Sequence, residues 1–151
     1  MNRFMQIAID EAKKGVELGH GGPFGAVIVK DNKVICKSHN RVIVNNDPTS
    51  HGEIDAIRKA CKKLNTIDLS DCEIYTTGYP CPMCFGAILW SNIKKVFYGC
   101  NTTDTEKIGF RDKKFEEQIP DKKITMCEEL NRKECLKLYK EYKKNKHKKK
   151  Y

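Results

Sequence analysis

The sequence predicts an α/β protein with three layers, in which helices cover both faces of a central sheet. Strand-like and helix-like segments alternate after an opening hairpin, an order typical of layered α/β folds. The chain has 151 residues and 39% hydrophobic residues, which fits a single globular domain. Neither an internal repeat nor a linker interrupts it, so residues 1–151 are predicted to form one domain.

The first half of the chain is predicted to contain a helix, a hairpin and a second helix. Apolar residues repeat at helical spacing over 5–18, and a glycine-rich stretch then ends the pattern. Two short apolar runs, 24–30 and 33–37, flank an Asp-Asn pair, which favours a β-hairpin. A polar loop leads into another segment with helical periodicity, predicted as a helix over 51–64.

The second half is predicted to alternate strands and helices. Residues 101–120 are polar and irregular, and we expect a loop there with a short helix near 113–118. The other expected elements are a strand over 73–77, a helix over 80–90, a strand over 95–99, a strand over 124–127 and a helix over 128–144.

The formal net charge of +9 is concentrated in a basic C-terminal tail. Residues 140–151 contain seven lysines and one glutamate, so the rest of the chain is only slightly basic. No apolar run is long enough to span a membrane, and the N-terminal segment lacks the apolar core of a signal peptide. We therefore expect a cytoplasmic protein without a membrane partner, whose eight cysteines do not form a disulfide framework.

Three residues form a pattern typical of zinc ligands. His51 begins one predicted helix, and Cys81 and Cys84 lie in the first turn of another. The two cysteines are three residues apart, so their sulfurs face the same way, and a helix N-terminus favours their thiolate forms. Three protein ligands leave a fourth position for water, as in catalytic zinc sites. The sequence therefore predicts one catalytic Zn²⁺ ion per chain.

Glu53, two residues beyond the histidine, is the candidate catalytic residue. Together these positions give the pattern H-x-E…P-C-x-x-C, which is typical of zinc deaminases. Glu53 is predicted to accept a proton from a zinc-activated water and to deliver protons to a ring nitrogen and to the departing amine, which leaves as ammonia. A redox cysteine pair, or a structural zinc site closed by Cys72 or Cys100, would leave Glu53 unexplained.

Longer segments, spread over nearly the whole chain, are similar to one branch of the cytidine deaminase superfamily. The sequence Gly-Gly-Pro-Phe-Gly-Ala-Val at 21–27 is fairly specific to that branch, the bacterial guanine deaminases. The other similar segments are 28–30, 46–49, 56–61, 81–84, 96–98 and 103–110. The resemblance implies a cytidine deaminase-like fold with a five-stranded mixed sheet. It also implies a homodimer whose subunits exchange their C-terminal segments.

The same resemblance implies four substrate-binding residues. Asn40 would donate or accept a hydrogen bond with the purine, and Asp112 would meet the guanine edge. Phe24 would stack on the ring, and Tyr151 would close the pocket of the neighbouring subunit. These residue types suit those roles, because an amide and a carboxylate match a donor–acceptor edge and an aromatic ring covers a base.

Three residues depart from the family pattern. Gly52 replaces the usual alanine and is expected to cost the helix up to about 1 kcal/mol and to loosen Glu53. Tyr79 replaces the usual glutamate before Pro80, and Arg111 adds a positive charge beside the expected purine site. The predicted reaction is hydrolysis of guanine to xanthine and ammonia. Deamination of tRNA adenosine, with the lysine-rich tail on RNA phosphates, and deamination of a small heterocycle such as cytosine stay open.

Overall fold

The computed structural model describes residues 1–118 and 126–148, and a mixed sheet lies at its centre. Its strands are β1 (Gly25–Lys30), β2 (Lys33–His39), β3 (Cys72–Gly78), β4 (Lys95–Cys100) and β5 (Met126–Glu129). Their spatial order is β2-β1-β3-β4-β5. Strand β1 is antiparallel to both β2 and β3, whereas β3, β4 and β5 run parallel. The predicted five-stranded mixed sheet is therefore confirmed.

Helices cover both faces of this sheet, which confirms the three-layer prediction. Those described are α1 (Arg3–Glu17), α2 (Val42–Asn45), α3 (Gly52–Leu64), α4 (Pro82–Trp90), α5 (Thr102–Lys107), α6 (Asp112–Glu117) and α7 (Arg132–Lys144). Helices α1 and α7 pack on one face, and α3 and α4 pack on the other. None of the described helices combines the length and apolar character that crossing a membrane requires.

Two hydrophobic clusters hold the layers together, one on each side of the sheet. Successive side chains of a strand point to opposite faces. Val27 and Val29 of β1 therefore pack against α1 and α7, while Ile28 packs beneath α3 and α4. These three side chains are at most 2% exposed. Full burial of such a side chain contributes about 1.5–3 kcal/mol, so the central strands anchor both helical layers.

The segment after β4 differs most from its prediction. Two helices, α5 and α6, stand where one short helix within a loop was expected. Helix α5 begins with a capping box, in which the Asn101 side chain accepts the Asp104 N–H and the Asp104 carboxylate accepts the Asn101 N–H. Helix α7 begins four residues later than predicted, because β5 continues to Glu129 and Asn131 then turns the chain with a φ of 55°.

Substitution of Asp104 is expected to destabilise the fold. Its carboxylate is 2% exposed and accepts two hydrogen bonds from Arg132, at 2.7 and 2.8 Å, which tie α5 to α7. Asp104→Asn places an amide against the guanidinium, and we expect a loss of about 2 kcal/mol in the free energy of unfolding at pH 7, measured by urea titration. Glu106→Gln, which breaks an exposed pair with Lys113, should change it by less than about 0.5 kcal/mol.

The difference in the free energy of unfolding between the wild type and Asp104→Asn should depend on pH. Burial raises the pKa of Asp104, but the hydrogen bonds from Arg132 and Asn101 outweigh it and hold the pKa below the usual value. A carboxyl whose pKa is lowered by folding stabilises the protein above its unfolded pKa, near 3.9, and loses this effect as the pH falls through its folded pKa. The wild-type advantage over Asp104→Asn should therefore shrink below about pH 4. An advantage that is unchanged at pH 3 would contradict this assignment.

Candidate metal centre and substrate cavity

Two helix N-termini meet at one edge of the sheet and bring the predicted zinc ligands together. His51 is the N-cap residue of α3, Cys81 is the N-cap residue of α4, and Cys84 lies in the first turn of α4. Pro82 occupies the first turn of α4, where its fixed φ suits the start of a helix. The chain reaches Cys81 directly from the end of β3, so a central strand sets the position of this turn.

The three side chains are arranged as a tetrahedral zinc site requires. His51 Nδ1 lies 3.6 Å from the Cys81 sulfur and 3.5 Å from the Cys84 sulfur. Donor atoms of all three lie within 4.8 Å of one another. Zinc bonds of about 2.3 Å to sulfur and about 2.0 Å to nitrogen separate these atoms by roughly 3.5 Å in a tetrahedron. One nitrogen and two sulfurs are also a donor set that zinc prefers, so these residues fit the ion.

The two cysteine thiols have opposite protonation tendencies. The pKa of Cys81 is lowered to about 4, chiefly because Cys84 donates a hydrogen bond to its sulfur, and His51 adds a second one against the effect of burial. The pKa of Cys84 is raised well above the usual value, because it is the donor in this pair and because it is buried. The pair thus readily gives one thiolate, which is the ligand form of cysteine.

Glu53 lies beside the candidate metal ligands, in the first turn of α3. Its side chain hydrogen-bonds with Cys84, and the residue is only 7% exposed. Burial is the largest cause that raises the pKa of Glu53, to about 7. A carboxyl group with such a pKa can both accept and release a proton near neutral pH, which is what general acid–base catalysis needs.

A small cavity opens next to these residues. It is lined by Phe24, Asn40, His51, Glu53, Tyr79, Cys81, Phe110 and Asp112. Three of the four predicted substrate-binding residues, Phe24, Asn40 and Asp112, therefore meet at the cavity that contains Glu53. The fourth, Tyr151, lies outside the described residues. A wider depression, lined in part by Met83, Arg111 and Phe115, shares His51, Phe110 and Asp112 with this cavity.

Asn40 and Asp112 give the cavity one hydrogen-bond donor and one acceptor. The Asn40 Oδ1 atom accepts the Val42 N–H at 3.1 Å, which leaves its Nδ2 atom for a ligand. Within residues 1–118 and 126–148, no protein atom hydrogen-bonds with this Nδ2, although Asn40 is 1% exposed. Burial, followed by the negative charge of Cys81, raises the pKa of Asp112 to about 6. Asp112 is therefore mostly ionised at pH 7 and accepts hydrogen bonds.

Aromatic rings form the rest of the cavity wall. The Phe24 ring meets Phe110 edge to face at 4.8 Å and meets Tyr139 of α7 at 5.9 Å. Tyr79 meets Tyr98 edge to face at 4.9 Å, and its hydroxyl donates a hydrogen bond to the Cys127 thiol. The sequence indicated Tyr79 only as a departure from the family pattern, and Phe110 only within a matching segment. Neither residue has a local sequence signal that marks it as a wall residue.

The structure also explains Gly52. A Cβ atom at this position would lie 3.3 Å from the Phe24 carbonyl oxygen and 3.4 Å from the His39 backbone. The start of α3 is thus packed tightly against the strand ends that carry Phe24 and Asn40. Gly52 fits this close approach, where the Cβ of an alanine would require its neighbours to shift by a few tenths of an ångström. The looser hold on Glu53 that helix propensity implies stays a prediction.

Comparison with known proteins agrees with this site. Residues 1–100 match the cytidine and deoxycytidylate deaminase zinc-binding region. Guanine deaminase of Bacillus subtilis (strain 168) is 47% identical over 137 residues, which cover 85% of this chain and 88% of that protein. The tRNA-specific adenosine deaminase of Aquifex aeolicus (strain VF5) is 46% identical over 95 residues, or 63% of this chain and 62% of that protein.

A solved structure extends the similarity to the whole fold. The X-ray structure of guanine deaminase from Bacillus subtilis superposes with a TM-score of 0.74 and 42% identity, and the match covers 100% of this chain and 99% of that one. The family match spans the histidine and both cysteines of the candidate metal centre. The chain therefore belongs to the zinc-binding cytidine and deoxycytidylate deaminase family of hydrolytic enzymes.

Proposed function

We propose that this deaminase hydrolyses guanine to xanthine and ammonia, with Glu53 as its catalytic residue. The proposal depends on the observation that the Asp112 carboxylate and the Asn40 amide line the same cavity as Glu53. The similarity to guanine deaminase over 85% of the chain supports the same substrate. His51, Cys81 and Cys84 would hold one zinc ion, which supplies Lewis acidity and makes water acidic enough to ionise near neutral pH.

The residues of the chain then divide the proton transfers and the binding. Glu53 accepts a proton from the attacking water and delivers it to the ring nitrogen next to the amino-bearing carbon. A second transfer through Glu53 protonates the amine, the carbon–nitrogen bond breaks, and ammonia leaves. Phe24 covers the face of the ring, and the aromatic wall excludes bulk water from the reacting atoms.

Asp112 favours guanine over an adenosine in RNA. Asp112 is partly buried, and its carboxylate loses its remaining water when a ligand fills the cavity. It then needs an N–H donor on that ligand, because an unpaired desolvated charge is costly. Guanine offers ring N–H groups besides its reacting amine. Adenosine offers none, because its N9 carries the ribose. Asn40 Nδ2 donates to a ring acceptor, which either base could supply. The carboxylate is therefore the discriminating group of the pair.

A substrate panel tests this proposal. We expect ammonia release from guanine at a kcat/KM at least about 100-fold above that for adenosine or a tRNA anticodon stem-loop, a ratio that one unpaired, partly buried carboxylate can produce. Adenine, cytosine and guanosine, each of which keeps a ring N–H group, complete the panel. Asp112→Asn should lower kcat/KM for guanine by about 10- to 100-fold and keep the zinc. Release of ammonia from the stem-loop alone would contradict the proposal and favour the tRNA function.

The proposal includes the remaining sequence predictions on assembly. We propose a cytoplasmic homodimer in which Tyr151 of each subunit approaches the cavity of the other, at the end of the basic tail 140–151. Exposed apolar side chains on the described surface, Ile67 and Trp90 at 89% exposure each, support a further protein contact. A sedimentation mass of one chain, or an unchanged KM for guanine after deletion of Tyr151, would contradict this arrangement.

A further inference from the structure

A chain of three hydrogen-bonded side chains, two of them buried, lies behind Asn40 and takes no part in the reaction described above. The ring of His39, the last residue of β2, lies between Glu11 of α1 and His20. Its Nδ1 atom is 3.1 Å from the Glu11 carboxylate, and its Nε2 atom is 2.9 Å from His20 Nδ1. His39 is 1% exposed and Glu11 is 7% exposed. Polar groups buried this deeply are costly unless they hydrogen-bond, so these bonds constrain one another.

The protonation states set the direction of the chain. Burial raises the pKa of Glu11, but hydrogen bonds from His39 and Lys37 hold it below the usual value, so Glu11 is an ionised acceptor. His39 must then carry its proton on Nδ1 and donate it to Glu11. Burial lowers the pKa of His39, so the ring is neutral and its Nε2 accepts. His20 therefore donates from Nδ1 to His39, and the order is His20 to His39 to Glu11.

This chain reaches Asn40 first through the backbone. Asn40 follows His39 directly, and its own N–H donates to the Phe24 carbonyl at 2.9 Å. Gly15 of α1 packs against the His39 ring so closely that a Cβ there would lie 2.6 Å from it. The ring of His39 thus has one position, and the end of β2 that carries Asn40 is fixed to α1.

The second connection runs through His20. Its carbonyl oxygen accepts the N–H groups of Ile43 and Val44, and so holds helix α2, whose first residue donates to Asn40 Oδ1. The next residue, Gly21, lies against the Asn40 amide, where a Cβ would come within 2.1 Å of Oδ1. The loop that carries His20 therefore contacts helix α2, whose Val42 donates to Asn40, and it also contacts the Asn40 amide itself.

We propose that His20 and His39 are positioning residues that hold the Asn40 amide aimed into the substrate cavity, with Glu11 as their fixed acceptor. The inference rests on the proposed role of Asn40 as a substrate contact. In the proposed reaction, Asn40 binds the purine ring and does not transfer protons. Loss of the hydrogen bonds from His20 to His39 and on to Glu11 should therefore raise KM and leave kcat and the zinc content close to wild type.

A matched pair of variants at His20 tests the inference. His20 is only half-buried, so its substitution should leave the fold intact. His20→Leu removes the donor, and we expect KM for guanine to rise about 3- to 10-fold, the equivalent of one hydrogen bond. His20→Asn places an N–H donor near the same position and should recover most of this loss. Equal KM values for wild type and His20→Leu would overturn the inference.

A double-mutant cycle asks whether His20 acts through Asn40. In an Asn40→Ala background the amide is gone, so His20→Leu should raise KM by less than about 2-fold more. If His20→Leu raises KM by the same factor in both backgrounds, it acts elsewhere and the inference is wrong. Should the panel identify another base as the substrate, the cycle is measured with that base.

Nitrogen-15 NMR of the histidine rings gives a readout that does not depend on turnover. We expect the wild-type protein to show His39 and His20 both neutral and both protonated on Nδ1 at pH 7.5. His20→Leu should leave His39 protonated on Nδ1. A wild-type His39 protonated on Nε2 would overturn the inference even if guanine is the substrate. Failure of the enzyme on guanine, with this tautomer pattern present, would contradict the proposed substrate alone.

Discussion

Glu53→Gln is expected to abolish turnover while the protein keeps its zinc. The amide has nearly the shape of the carboxyl group, so the first turn of α3 and the metal ligands should stay in place. It cannot accept the proton from water or deliver protons to the ring nitrogen and the amine. A positioned acid–base group contributes about 10²- to 10⁴-fold, and Glu53 would serve several transfers, so we expect kcat for guanine to fall by at least about 10³-fold.

Two measurements make this expectation specific. Zinc content and the midpoint of thermal unfolding should match those of the wild type, which separates lost chemistry from lost structure. Glu106→Gln makes the same chemical change at an exposed position of α5 and should leave kcat unaltered. A Glu53→Gln enzyme that retains more than a tenth of the wild-type kcat would show that another group moves the protons.

The second large effect is expected for Cys84→Ala. Cys84 is 0% exposed, and its sulfur lies 3.5 Å from His51 Nδ1 in the ligand cluster. Its removal leaves one histidine and one cysteine, too few protein ligands to retain zinc through gel filtration. We expect the bound zinc to fall from about one ion per chain to about one tenth or less, and ammonia release to fall with it.

Cys100→Ala is the matched control for this experiment. Cys100 is also 0% exposed, but it belongs to the hydrophobic cluster beneath α1 and α7. Its substitution should cost about 1 kcal/mol of stability through lost packing, with full zinc content. Retention of zinc by Cys84→Ala, measured by a metal-chelating dye after denaturation, would remove Cys84 from the ligand set.

The grouping of the candidate metal ligands with the proposed catalytic glutamate could be predicted from sequence because it is local. His51, Glu53, Cys81 and Cys84 lie at two helix starts, where spacing along the chain fixes which side chains face the same way. The order of strands and helices could be predicted from hydrophobic periodicity, because this signal is also local along the chain. Helix α5 was missed because its start depends on a capping box within a polar stretch that resembles a loop.

The cavity wall could not be predicted in this way, because it is assembled from distant segments. Phe24 and Phe110 lie in two distant loops, and Phe24 meets both Phe110 and Tyr139 of α7. No short sequence pattern records these contacts. The bonds from His20 to His39 and on to Glu11 likewise join a loop, a strand and a helix. The close approach of neighbouring backbone to Gly52 could not be predicted either, because helix propensity does not include contacts with other segments.

Tyr139 has a consequence for the order in which a newly made chain acquires its functions. Its hydroxyl hydrogen-bonds with Thr105 at 3.1 Å, and its ring supports Phe24 from the last helix. The three candidate metal ligands leave the ribosome well before this residue, since even Cys84 precedes Tyr139 by 55 residues. During synthesis, the elements that carry the candidate metal ligands can therefore form first, and the chamber for the base is completed only after Tyr139 has been made.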